Sequence, residues 1–242
     1  MQNFYKARGI VLHTIKYGES SLVAYLLTDL YGRMNYMVQG VRSSRGRGNK
    51  AALLQPMFLV ELEAGISSHA QMHRIREIRN LVPLSSLPFD VRKSTISLFM
   101  AEVLYRLIRE SEPNDALFDF ISNSVVQLDR MEKGVANFHL WFLVQLSAYL
   151  GFYPGNEFSE GAFFDMRSGL FTPSLPVHAV CMDQDSSSLL GRLMDCSVND
   201  LDSLRLSRER RSAFLESILE FFGYHLDAIR TVRSISILRE VF

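Results

Sequence analysis

Cysteine is almost absent: Cys181 and Cys196 are the only two in 242 residues. Two thiols cannot make a disulfide framework, and no Cys-x-x-Cys pair offers a zinc site. No run of about 18 uncharged apolar residues occurs, so a membrane-spanning helix is not expected. The opening Met-Gln-Asn-Phe-Tyr-Lys-Ala-Arg lacks the apolar stretch of a signal peptide. A cytoplasmic protein is the expectation. No Gly-Lys dipeptide exists for a P-loop, and no Gly-x-Ser-x-Gly elbow for a serine hydrolase. Acids are scattered without a catalytic pairing, and Cys181 has no visible base beside it. Nothing points to an enzyme, and neither a cofactor nor a metal is expected.

Net charge is also missing, with 26 basic and 26 acidic residues, but the balance is uneven along the chain. Residues 1–80 hold eleven cations against five acids, an excess of six, and the remainder carries the matching deficit. Opposite-signed halves suggest a basic module that meets polyanions, joined to a module of another kind. Apolar residues make up 48% of the chain, enough for a real core and far from a disordered composition.

The period of the hydrophobic pattern changes near Pro88. Before it, alternation appears around Ile10 and Leu12, at Leu22/Ala24/Leu26, at Met34/Tyr36/Val38 and at Phe58/Val60/Leu62. A fifth strand is expected across 70–78. Five short antiparallel strands in about 80 residues suit a small closed barrel of the OB type, with an SH3-like barrel as the nearest competitor. After Pro88 the spacing is helical. Ile96, Phe99, Met100, Val103, Leu104 and Leu107 share one face of a helix over about 90–111. Pro113 ends it, and Leu117, Ile121, Val125 and Leu128 mark a second helix capped by Asn114 or Asp115. A third helix covers 137–150, apolar on most sides, with Gly151 after its end. Residues 152–188 read as a loop-rich or small β subregion, and 207–226 as a late helix. A shorter helix is expected near 189–193. The fold class is α+β: an OB-type domain over 1–80, then a mainly helical domain over 81–242 that includes the 152–188 subregion.

The most informative local feature is Gly40-Val-Arg-Ser-Ser-Arg-Gly-Arg-Gly-Asn-Lys50, with four cations, three glycines and no acid. It reads as a basic hairpin loop that neutralises phosphates; the alternative is a loop kept soluble by its charge. Its Gly46-x-Gly48-x-x-Ala51 match to a dinucleotide fingerprint is rejected, because no helix opens there within a βαβ unit. Arg42, Arg45, Arg47 and Lys50 are the main candidate phosphate contacts, with Arg33, Arg74 and Arg76 secondary. Tyr17, Tyr25, Tyr31, Tyr36 and Phe58 are candidates to stack on bases or to fill the barrel. His69 and His73 are four apart, but the segment reads as strand and lacks the Glu of a zinc helix, so no metal site is assigned. Arg205, Arg208, Arg210 and Arg211 form a second basic cluster, open to nucleic acid or to acids of the helical domain.

Gly9-Ile-Val-Leu12, Tyr17-Gly-Glu19, Thr28-Asp-Leu-Tyr-Gly32, Gly40-Val-Arg42 and Leu54-Gln-Pro56 follow one another at spacings that resemble the RecO family of bacterial recombination mediators. Glu102-Val-Leu104, Glu110-Ser-Glu-Pro113, Leu150-Gly-Phe-Tyr-Pro154, Tyr224-His-Leu226 and Arg233-Ser-Ile-Ser-Ile-Leu238 extend the resemblance over nearly the whole chain. It implies an OB-fold followed by a helical domain. It also implies a protein that binds single- and double-stranded DNA, anneals strands, engages single-strand-binding protein (SSB) and RecR, and assists RecA loading. An acidic, apolar-ended SSB tail needs an apolar groove rimmed by cations; Arg92, Lys93, Arg106, Arg109 and Arg130 of the helical domain are the candidate rim. Many family members carry two Cys-x-x-Cys pairs after the Gly-Phe-x-Pro motif. Here the stretch from Gly155 to Cys181 holds one cysteine, so hydrophobic packing, of Phe163, Phe164 and Phe171, is expected in place of zinc. The competing functional readings are an OB-fold scaffold that binds only proteins and an RNA-binding factor.

Overall fold

The computed structural model describes residues 3–41, 50–66, 72–155 and 157–242. They form two compact units, Met1–Asp129 and Arg130–Phe242.

The first unit opens with five strands: β1 (Asn3–Tyr17), β2 (Ser21–Thr28), β3 (Gly32–Val38), β4 (Leu59–Ile66) and β5 (His73–Asn80). They close into a barrel in the order β1-β2-β3-β5-β4. β1 is long enough to pair with both β2 and β4. The barrel closes through a short parallel contact of β3 with β5, Tyr36 opposite His73 and Met37 opposite Arg74. That is the OB arrangement, as the sequence pattern predicts.

Alternation fills the barrel. Ala7 and Val11 of β1 meet Ala24, Leu26, Tyr36, Val38, Val60, Leu62, Ala64 and Ile75 inside. Ile10 and Leu12 point the other way and are buried as well. Helix α1 (Val91–Leu107) packs against β1, which is why that strand is apolar on both faces. A register shift between Val11 and His13 lets one strand serve two partners.

Asp90 caps α1, its carboxylate accepting from the Arg92 and Lys93 N–H groups. Helix α2 (Asp115–Arg130) starts with Asn114 accepting from Leu117 N–H. Gly32 is required in the β2–β3 turn: its φ is +59°, and a Cβ would sit 2.3 Å from the Glu112 carbonyl oxygen. The turn is thereby held against the 110–112 segment, where Arg33 N–H donates to Glu110 O at 3.0 Å.

The second unit holds α3 (Phe138–Tyr149), a three-stranded sheet of β6 (Phe163–Asp165), β7 (Leu170–Thr172) and β8 (Cys181–Met182), and helices α4 (Gln184–Asp195), α5 (Arg208–His225) and α6 (Ile235–Val241). α3 is central, with Phe138, Leu140, Phe142, Leu143, Val144 and Leu146 fully buried. α4 is longer than the predicted 189–193 turn, because Asp183 caps it by accepting from Ser186 N–H. α6 has no counterpart in the sequence reading; at seven residues it is too short to show a period.

Within the 152–188 subregion, Phe164 lies 5.1 Å from Phe171 and 5.0 Å from Phe221 of α5, centre to centre. Phe158 meets Phe171 at 5.5 Å. Aromatic packing thus holds this sheet on α5 through Phe164, which Phe171 supports from within the sheet, while Phe163 is only half-buried. The residues here do not fit a zinc ion. A structural zinc needs four N or S ligands, and the 155–181 stretch offers His178 and Cys181. His178 is already engaged, its Nε2 3.2 Å from Asp165 Oδ2 and its Nδ1 accepting from Val180 N–H.

Candidate nucleic-acid interface

The start of β1 alternates Phe4, Lys6 and Arg8 outward with Tyr5 and Ala7 inward. Phe4 is 47% exposed, unusual for a phenyl ring on a well-formed strand. Its cross-strand partner on β4 is Gly65, which has no side chain to cover it. The ring lies over that gap, with Cε1 3.3 Å from where a Gly65 Cβ would be. The Arg76 guanidinium sits 5.2 Å from the ring centre.

Phe4, Gln39, Lys50, Gly65, Met72, Arg74 and Arg76 line a cavity of about 350 Å³ at this end of the barrel. Arg74 donates to the Gln39 side-chain oxygen, which fixes it at the rim. The 42–49 stretch joins the chain beside Lys50, and the 67–71 stretch joins it between Gly65 and Met72. The candidates Arg42, Arg45 and Arg47, and also His69, lie outside the described residues. Three of the predicted phosphate contacts, Lys50, Arg74 and Arg76, are brought together; Arg33 is not.

Arg33 has another task. It donates to the carbonyls of Tyr105 and Ile108, both at 2.7 Å, and stacks 4.4 Å from the Tyr105 ring centre. It caps the C-terminus of α1, and burial pulls its guanidinium below the usual arginine range.

Ion pairs remove other cations from the phosphate-binding inventory. Arg8 meets Asp29 at 2.9 Å, and Arg79 meets both oxygens of Glu61 at 2.7 and 2.8 Å. Arg76 is shared between Phe4 and Glu63, the latter at 3.0 Å. Among the described residues at the rim, Lys50 and Arg74 have no acidic partner.

The aromatic candidates separate clearly. Tyr36 is fully buried, its hydroxyl 2.9 Å from Tyr5 OH, and burial drives its phenol far above the ordinary value. Tyr31 packs edge-on against Tyr5, and Tyr25 against Tyr105. Phe58 is half-buried. Tyr17, 57% exposed, is the one candidate left facing solvent. The sequence reading passed over Phe4, for which the Phe4/Lys6/Arg8 alternation was the available signal.

The candidate partner rim is dispersed. Lys93 is 5% exposed and donates to Asp129 O and Ser86 Oγ, at 2.8 and 2.6 Å. It is a buried anchor for the loop before α1, not a surface cation. Asp129 completes that anchor by accepting from the Ser85, Ser86 and Leu87 N–H groups. Burial pushes its pKa up, but those N–H groups outweigh burial and hold the carboxyl below its usual range. Arg92 pairs with Asp90 at one end of α1 and Arg106 with Glu102 near the other, roughly 20 Å apart along a helix rising 1.5 Å per residue. Arg109 and Arg130 are exposed. Of the four in the first unit, Arg106 and Arg109 line one cavity that Arg92 and Lys93 do not, and Arg130 belongs to the second unit.

A different group of cations is gathered in the second unit. Arg208, Arg211 and Arg239 surround Leu215, Leu238, His139 and Phe242 at a cavity of about 150 Å³. Arg211 is tied to Asn137 Oδ1 and to the Leu206 and Phe242 carbonyls. Two members of the late basic cluster, Arg208 and Arg211, are therefore at this cavity.

The profile of the recombination protein O N-terminal domain matches residues 1–82, and that of its C-terminal domain matches residues 88–233. The chain belongs to the RecO family. It is 36% identical over 239 residues to a protein of Bacteroides fragilis named DNA repair protein RecO, covering 98% of both chains. Proteins of the same name from Phocaeicola vulgatus and Flavobacterium psychrophilum are each 34% identical over 238 residues, again with 98% of both chains covered. RecO membership makes this a DNA repair protein and agrees with the OB barrel and helical unit. No helix among the described residues is long and apolar enough to cross a membrane.

Proposed function

We propose that the chain is a non-enzymatic, cytoplasmic recombination mediator that associates with the nucleoid when bound to DNA. It binds single- and double-stranded DNA on the barrel, anneals complementary strands and, with SSB and RecR, assists RecA loading. The observation that carries the DNA part is the rim at one end of the barrel. An exposed ring over a glycine lies beside Lys50 and Arg74, cations without acidic partners among the described residues, where the basic 42–49 stretch joins. A ring face accepts any base and cations accept any phosphate, so the arrangement favours a single strand without sequence preference. Annealing is downhill once phosphate repulsion is screened, and it needs no catalytic group. Family membership supports the partners. The Arg208/Arg211/Arg239 cavity, with its apolar floor, has the chemistry an acidic, apolar-ended SSB tail requires. The assignment of DNA to residues 1–80 and of protein partners to 81–242 is part of the proposal.

The test is competition at fixed salt between single-stranded DNA and RNA for the full chain, followed by strand annealing with and without SSB. Preference for DNA and accelerated annealing are expected. Equal or stronger RNA binding would favour an RNA-processing role, and no binding to either would favour a protein scaffold.

A further inference from the structure

Another cavity in the first unit, of about 540 Å³, lies at the end of α1 where it meets β3. Arg33, Asn35, Tyr105, Arg106, Arg109 and Ser111 line it, three cations and no acid. The arrangement has a definite polarity. Arg33 is held in place by the Tyr105 and Ile108 carbonyls, so it covers the negative end of the helix that would otherwise repel an anion. Arg106 has one long contact, Nη2 to Glu102 Oε1 at 3.5 Å. Its Nε is buried and has no hydrogen-bond partner among the described residues. That atom is closed off from the cavity as well as from bulk solvent, so it is the terminal nitrogens of Arg106 that a ligand in the cavity would meet. Arg109 is exposed just beyond, with no acidic partner among the described residues. Glu110 and Glu112 follow it, but neither lines the cavity.

Charge counting narrows the ligand. Three guanidinium charges, less the Glu102 carboxylate and the roughly half charge of the helix end, leave roughly one and a half positive charges. A phosphate monoester carries about −1.5 to −2 near pH 7, whereas a backbone phosphodiester carries only one negative charge. The match is to the monoester.

We propose that this cavity binds a dianionic phosphate group, as in a phosphate monoester or the free ion, through Arg106 and Arg109, with Asn35 available as a neutral donor. The ligand is inorganic phosphate, a mononucleotide or the 5′-phosphorylated end of a strand, all of which present the same dianionic group. The site is separate from the Phe4/Lys50/Arg74 rim, and its phosphate chemistry does not depend on the barrel binding DNA.

The test uses the full chain at constant ionic strength set with chloride. Inorganic phosphate is titrated calorimetrically. In parallel, one oligonucleotide is compared with a 5′-hydroxyl and with a 5′-phosphate. The variants are Arg109→Ala, which removes an exposed side chain, and Arg106→Gln, with thermal unfolding to confirm that each folds. Arg33 is left intact because it caps α1. The expected results are saturable phosphate binding at one site, weakened at least tenfold in both variants, and about tenfold preference for the 5′-phosphorylated strand that falls to unity in both. Phosphate binding without strand preference supports the site and assigns it to the free ion or a mononucleotide. Phe4→Ala should weaken both oligonucleotides equally and leave their ratio unchanged. Absence of saturable phosphate binding together with a ratio of unity in the unaltered protein overturns the proposal, as does binding that survives unchanged in both folded variants.

Discussion

If Phe4 stacks on a base and Lys50 and Arg74 hold phosphates, the two kinds of contact separate by their salt dependence. A base–aromatic stack is worth about 1–3 kcal/mol, so Phe4→Ala should weaken single-stranded DNA binding by roughly 5- to 150-fold at any salt concentration. Its logarithmic salt slope should stay that of the parent, because no counterion is released by a stack. Phe4→Leu keeps apolar cover over Gly65 but has no ring face, so it should bind as weakly as Phe4→Ala while unfolding like the parent. Lys50→Gln with Arg74→Gln should do the opposite. Each lost phosphate contact lowers the slope by about 0.7 for a single strand, so the pair lowers it by about 1.4. Over a fourfold rise from 50 to 200 mM salt, the gap between parent and double variant should shrink by about sevenfold. Fluorescence anisotropy of a labelled oligothymidine across that range measures both quantities. The reasoning is refuted if Phe4→Ala changes the slope rather than the affinity, or if the double variant keeps the parental slope. The ring is about half exposed, so its truncation should cost the fold less than about 1.5 kcal/mol, and lost binding cannot be blamed on unfolding.

Replacing Arg42, Arg45, Arg47 and Lys50 together should flatten the salt dependence further, by about 0.7–0.9 per lost contact, without creating a sequence preference. An unchanged slope in that variant would exclude the 40–50 stretch as a DNA contact. Acid should unfold the second unit through His139. In the fold its imidazole stays neutral down to about pH 3, chiefly through burial and secondarily through Arg211. An exposed imidazole takes a proton near pH 6.5. Between those values only the unfolded chain is protonated. The contribution of His139 is therefore intact above pH 6.5 and falls by up to about 1.4 kcal/mol per unit as pH drops toward 3. Denaturant titrations between pH 4.5 and 6.5 should show a shallower slope in His139→Phe than in the parent, though not a flat one, since burial also lowers His13 and His225. Equal slopes would mean that His139 is protonated in the fold.

The barrel was legible because its strands bury an inward face, so apolar residues recur at every second position even where β1 is also covered from outside by α1, and Gly marks the turns. α1, α2, α3 and α5 were legible for the parallel reason at helical spacing. What escaped has physical causes. The 163–182 sheet is made of strands of two or three residues, too short to show a period, and its order comes from Phe164 packing on both Phe171 and Phe221. The cationic candidates were harder still, because composition counts charges but not their partners. Lys93 looked like a surface lysine until the fold placed it beneath the 85–87 loop, and Arg33 like a phosphate contact until it met the end of α1. Phe4 was passed over because its exposure depends on a glycine 61 positions away, opposite it on β4.

The acids of β4 raise a last question, why a module with six surplus cations keeps Glu61 and Glu63 on its outer face. Their pairs with Arg79 and Arg76 are on the surface; those arginine side chains are 73% and 58% exposed. Exposed pairs of this kind contribute about 0–1 kcal/mol, so stability is a weak reason for them. Their larger effect is on the field. They neutralise the flank formed by β4 and β5, and among the described residues of the rim the charge without an acidic partner is left at Lys50 and Arg74. On the proposed function, this distribution would confine a bound strand to the rim instead of letting it spread over the barrel. Glu61→Gln with Glu63→Gln should therefore leave thermal stability nearly unchanged. It should raise affinity for single-stranded DNA and steepen the salt slope by up to about 1.4, as Arg76 and Arg79 become free to meet two more phosphates. Anisotropy and thermal unfolding of the same preparation measure both. A large loss of stability would make the pairs structural. Unchanged affinity and slope would place the strand's path away from this flank, and the acids would then have no part in confining it.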